Sequence, residues 1–103
     1  MVKMTKSVAE AMLGDIPEEK RFWCHDGRLL KNLDELKDAL EQMTADTFSY
    51  HSNETKTDFS NWVKDVIGDE KLSRDLLKCT SKEQAARVVA ERIKWLRSKI
   101  KAA

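Results

Sequence analysis

The run from Lys82 to Lys101, KEQAARVVAERIKWLRSKIK, holds no glycine and no proline, and its apolar residues recur at helical spacing. Ala85, Val89, Ile93, Leu96 and Ile100 share one stripe, edged by Val88 and Trp95, whereas Arg87, Lys94, Arg97 and Lys101 gather on the far side. A helix of about 20 residues is roughly 30 Å long. A one-sided apolar stripe of that length is stable only against a matching surface, so the preceding residues must fold onto it. Ser81 followed by Gln84 is a capping box that marks where this helix begins.

Helical signals fill most of what precedes it. Asn32 is an N-cap with Glu35 at the reciprocal position, and Leu33, Leu36, Leu40 and Met43 follow on one face while Asp34, Glu35, Asp38 and Glu41 take the water side. Thr44 restarts a short helix that carries Phe48 and His51. A third helix starts near Thr57, is expected to bury Phe59, Trp62, Val63 and Val66, and stops at Gly68. Asp69 then caps Glu70 to Lys78, with Leu72, Leu76 and Leu77 expected inward. Near the start, Ser7 caps two turns that reach Leu13 and end at Gly14, and Asp15 to Lys20 reads as a linker.

One segment has a different character. Arg21 to Leu30 centres on Asp26-Gly27, a pair that tolerates positive φ at both central positions of a tight hairpin turn. A lone two-stranded ribbon is marginal in water, so it must lie on the helices through Phe22 and Leu29 or their neighbours. Three glycines and one proline, Pro17, in 103 residues are too few for a sandwich or barrel. The expected fold is mainly α: a compact bundle of four or five helices with a small β-hairpin near residues 21–30. Residues 1–20 form an N-terminal short helix and linker, and residues 21–103 a single helical domain.

Charge restricts the function classes. Charged residues make up 36% of the chain but the net charge is only +1, so the molecule as a whole has no field that would gather nucleic acid. The distribution is uneven: residues 82–103 carry 7 Lys and Arg against 2 Asp and Glu. No apolar run approaches bilayer length, and Met1 to Leu13 lacks the apolar region of a secretory signal, so a cytoplasmic protein without a membrane partner is expected. Cys24 and Cys79 are then free structural thiols.

No reaction signature stands out. Cys24-His25-Asp26 places a thiol beside a base, but successive side chains on a strand point to opposite faces. Cys24, His25, His51 and Cys79 have the right atoms for zinc, yet they are scattered rather than arranged in close pairs. None of the glycines belongs to a phosphate-binding loop. The expectation is therefore no catalytic residue, no metal and no cofactor.

The stretch Tyr50 to Trp62, YHSNETKTDFSNW, is the most concentrated in chemistry-bearing residues. As a helix joint, it would use His51 on terminal carbonyls, Asn53 in a left-handed conformation, and Thr57 or Asp58 as a cap. Tyr50, Phe59 and Trp62 would wall it. As a site, His51, Asn53 and Asp58 would line a small polar pocket beside Trp62.

The segments LDELKDALEQMTADTFSYHSNETKTDFSNWVKDVIGDEKLS and KEQAARVVAERI resemble a family of small helical domains of uncharacterised function found in archaeal and bacterial proteins. The residues that carry the resemblance are Tyr50, His51, Asn53, Asp58, Phe59, Trp62, Asp65, Gly68 and Asp69, and it spans roughly residues 22–93. It implies a self-contained helical module, sometimes attached to other domains, with no catalytic residues to carry over. The basic tail from Arg92 to Lys101 has no counterpart in the family pattern.

The reading that results is a non-enzymatic helical interaction or ligand-binding module. Its partner is another protein or a small ligand, met at His51, Asn53, Asp58 and Trp62. The alternative is nucleic-acid binding through Arg87, Lys94, Arg97 and Lys101, with Trp95 stacking on an unpaired base.

Overall fold

Two apolar stripes meet at the centre of the molecule. In the computed structural model, which describes residues 4–101, helix α6 (Lys82–Lys101) packs along α2 (Leu33–Gln42) and α1 (Lys6–Leu13). Ala85, Val89, Ile93 and Leu96 of α6 are buried against Leu33, Leu36, Ala39 and Leu40 of α2 in one core. The chain runs through α1, a 3₁₀ turn at Glu18–Lys20, strands β1 (Phe22–Trp23) and β2 (Leu29–Leu30), then α2 and α3 (Ala45–His51). It continues through α4 (Asp58–Trp62), a π turn at Val63–Ile67, α5 (Glu70–Leu77) and α6. The mainly α architecture with a small hairpin follows the sequence pattern, with six α-helical segments among the described residues. No helix among them is long and apolar enough to cross a membrane.

The caps explain where helices begin. Asn32 Oδ1 accepts the Glu35 N–H at 2.8 Å, Thr44 Oγ1 accepts that of Thr47 at 3.1 Å, and Ser81 Oγ accepts that of Gln84 at 3.1 Å. In both capping boxes the returning side chain reaches one residue further back than expected: Glu35 to the Lys31 N–H, Gln84 to that of Thr80. The first helix starts earlier than the sequence suggested, because Thr5 rather than Ser7 accepts the Val8 N–H. Residues 1–3 and 102–103 of the two expected segments lie outside the described residues.

The stretch before residue 21 is tied to the rest. Ala9 is fully buried in the common core. The segment read as a linker is pinned at both ends: Ile16 donates its N–H to the Lys31 carbonyl at 2.7 Å, and the Lys20 carbonyl accepts the Trp62 indole N–H at 2.9 Å.

Three side chains depart from their expected faces, each for a local reason. The π turn widens the helix by one residue, so Ile67 is buried and Val66 only half-buried. Its closure falls to Gly68 at φ +84°, a left-handed conformation that a side chain would strain. Leu77, in the last turn of α5, points outward at 55% exposure. In the hairpin, Phe22 pairs with Leu30 and Trp23 with Leu29, and the inward pair is Phe22 and Leu30, leaving Leu29 outside. Only Gly27 takes positive φ in the turn; the Cys24 carbonyl accepts the Gly27 N–H, and the Cys24 N–H donates to Arg28. This is a three-residue loop with glycine at the left-handed position, not the tighter two-residue turn.

Candidate functional site

His51 is the last residue of α3, is 4% exposed, and has both ring nitrogens engaged. Nε2 accepts the backbone N–H of His25, in the hairpin turn, at 2.8 Å. An acceptor nitrogen carries no proton, so the proton of the neutral ring sits on Nδ1 and is donated to Asp58 Oδ2 at 3.0 Å. Phe22 and Phe59 pack on the ring at centroid distances of 5.0 and 5.2 Å. One imidazole thus joins the hairpin, the end of α3 and the start of α4.

The joint is built differently from the sequence expectation. His51 bonds no terminal carbonyl; that task falls to Asn53, whose Nδ2 donates to the Ser49 carbonyl at 2.7 Å. Asn53 does this without a left-handed backbone, since no residue other than glycine has positive φ among those described. Its Oδ1 gathers the N–H groups of Thr55 and Lys56, which closes the loop as an Asx turn. Neither Thr57 nor Asp58 caps α4 by its side chain, because the Asp58 carboxylate is committed to His51 and to Lys56 at 3.4 Å. Trp62 is buried and donates to Lys20.

The four residues expected to form a pocket are therefore neighbours without lining a common cavity. A groove of about 320 Å³ does lie beside them, lined by Phe48, Asn53, Thr57, Phe59, Leu76 and Leu77 among others. His51, Asp58 and Trp62 are not in its wall.

The basic stripe is also modified by its surroundings. Arg97 is held by both carboxylate oxygens of Asp34 on α2, at 2.9 and 3.0 Å. Trp95 is 38% exposed, but Arg92 and Lys99 sit over its ring at 4.3 and 4.9 Å from the centroid, where an unpaired base would have to stack. Arg87, Lys94 and Lys101 make no ion pair among the described residues.

Sequence reasoning missed a buried ion pair. Asp69 caps α5 through the Leu72 N–H and is 1% exposed, and both its oxygens also receive Arg92, at 2.7 and 3.0 Å. The Asp69 cap was legible, but its partner 23 residues away was hidden among other cations of α6. Sequence reasoning also missed the hairpin's outer face. Trp23 is 78% exposed and Leu29, opposite it, 43%. The His25 ring stacks on half-exposed Tyr50 at 3.9 Å and 14°, with Lys56 Nζ above the tyrosine.

The thiols are not activated. Burial pushes Cys24 above the ordinary 9.0, against a weaker pull from the Asp26 N–H. Burial and the nearby Asp75 charge raise Cys79. Both should react slowly with a disulfide reagent at neutral pH and rapidly once the chain is unfolded. Because the folded values are raised, the stabilisation from the protonated thiols is fully present below 9.0 and is lost as pH rises through the higher folded values. A Cys24→Ala, Cys79→Ala variant should show a shallower alkaline loss in urea denaturation.

Among the described residues no three of His, Cys, Asp and Glu gather as metal ligands would. No family model, curated protein or solved structure matches the chain.

Proposed function

We propose that the chain is a non-enzymatic interaction module of the cytoplasm, whose contact surface is the hairpin's outer face, Trp23 and Leu29, flanked by His25 and Tyr50. The carrying observation is Trp23 at 78% exposure between Phe22 at 7% and Cys24 at 1%. Its backbone is held by buried neighbours on both sides while its indole meets water. An anchor fixed in this way loses little conformational freedom on binding, which is the condition under which one aromatic residue dominates an interface. This reading keeps the interaction module that the sequence suggested and moves its surface. His51, Asp58 and Trp62 become the supports that hold the hairpin in place.

Charge supports a protein with an apolar recess as the partner. Three cations near the face are ion-paired, Arg28 with Asp26 at 3.4 Å, Lys31 with Asp15 at 3.8 Å and Lys56 with Asp58 at 3.4 Å, and Arg21 is turned to the Ile16 carbonyl at 2.9 Å. An apolar face whose nearby charges are largely paired offers phosphates little and predicts binding that depends only weakly on salt. The string from Tyr50 to Asp69 supports placing the chain with the small helical modules it resembles.

A second reading rests on Arg87, Lys94 and Lys101, which share one exposed stripe of α6 and could follow a polyanion. One comparison separates the two. Trp23→Ala should abolish capture of the partner at low and high salt while changing stability by less than about 0.5 kcal/mol, as for exposed substitutions generally. Capture that survives Trp23→Ala, falls steeply with salt and disappears when Arg87, Lys94 and Lys101 are replaced by alanine would overturn the hairpin reading in favour of the stripe.

A further inference from the structure

We propose that His51 is a proton-operated latch on the hairpin turn, so that its protonation frees residues His25 to Gly27 while the base of the hairpin stays packed. The inference rests on the hairpin face as the contact surface and adds its regulation. The His25 N–H can only donate, and among the described residues the one acceptor it meets is His51 Nε2, at 2.8 Å. Adding a proton to Nε2 sets one N–H against another at that distance. The bond becomes a repulsion, and the turn must retreat or the ring must rotate.

Rotation is opposed by the surroundings. Phe22 and Phe59 pack on the ring, and Nδ1 is tethered to Asp58. The turn is the freer partner: His25, Asp26 and Gly27 are all exposed, and their remaining bonds are internal to the hairpin. Phe22 and Leu30, three residues below the loop on either strand, remain in the core and limit the motion to the tip. The tip carries His25, which stacks on Tyr50 next to the Trp23 face.

The charged and titratable groups around the ring act in both directions. From α4, Asp58 favours the imidazolium. From the preceding loop, Lys56 shares the same carboxylate at 3.4 Å and weakens that attraction. From α3, the Tyr50 ring lies edge-on at 5.0 Å. From the hairpin, the His25 ring, 6.4 Å away, repels the imidazolium if it too is charged, while Asp26 carries a negative charge engaged by Arg28, and Cys24 is a neutral buried thiol. Asp58 therefore permits the proton and Nε2 converts it into movement of the turn.

The test is an acid titration of the free protein followed by nuclear magnetic resonance, which needs no partner. Failure of the hairpin as a contact surface would thus leave this result unaffected. As His51 Nε2 gains its proton, the His25 amide should lose hydrogen-exchange protection by about tenfold or more, the effect of removing one hydrogen bond. The α6 amides should keep theirs. His51→Gln, which retains a neutral acceptor, should abolish the transition, and His25→Gln should preserve it. Protonation of His51 with the turn amides unchanged would overturn the latch. So would a transition that follows His25 instead, or global unfolding with no earlier local step.

Discussion

Arg92→Ala is expected to destabilise the fold by about 3 to 5 kcal/mol, the cost of stranding a buried carboxylate. Asp69 is 1% exposed and Arg92 11%, so water cannot replace the lost guanidinium. The carboxylate also caps α5, and the guanidinium stacks on Trp95. One substitution therefore disturbs the start of α5 and the middle of α6 together. Arg92→Lys should recover only part of the loss, because an ammonium cannot bond both oxygens in the plane of the carboxylate. Asp69→Asn added to Arg92→Met should be milder than Arg92→Met alone, since the amide keeps the cap and removes the unpaired charge. Chemical denaturation of the four variants checks the order. A loss below about 1 kcal/mol for Arg92→Ala would place the pair with exposed ion pairs.

His51→Ala is the second large effect, expected at about 2 to 4 kcal/mol. It empties the space between Phe22 and Phe59, orphans the His25 N–H and leaves Asp58 with Lys56 alone. A residue that served only a ligand would leave stability unchanged. The damage should be uneven: hairpin amides lose exchange protection first, while α2 and α6, whose stripes meet away from the ring, keep theirs. His51→Asn should be no better than alanine at holding the turn, because its amide is too short to reach the position of Nε2.

The helices were legible because their signals are local. Asn32, Thr44, Asp69 and Ser81 are residue types that accept a backbone N–H three positions on, and each does so here. The stripe of α6 needed only its spacing. What could not be read depends on groups distant in sequence. The Asp69–Arg92 pair spans 23 residues and the His51–His25 bond 26, and no periodicity encodes either. Leu29 and Leu30 illustrate the same limit on a smaller scale: alternation says that one faces the core, but the loop geometry at Gly27 decides which. The candidate site was legible as a concentration of unusual residues from Tyr50 to Trp62. Its use was not, because an imidazole between two partners looks identical in sequence whether those partners are a ligand or the chain itself.

Residues from Tyr50 to Asp69 take structural roles in this arrangement. His51 and Asp58 hold the turn, Asn53 closes α3, Phe59 packs on the ring and Trp62 pins Lys20. Gly68 ends the π turn and Asp69 begins α5. These residues set the joints between elements, and the exposed hairpin rides on them.

The most direct test is the nitrogen chemical-shift pattern of the His51 ring near neutral pH. An Nδ1 that bears hydrogen beside a bare Nε2, coupled across a hydrogen bond to the His25 amide, is the expected result. The opposite tautomer, or a ring exchanging freely with solvent, would contradict the account.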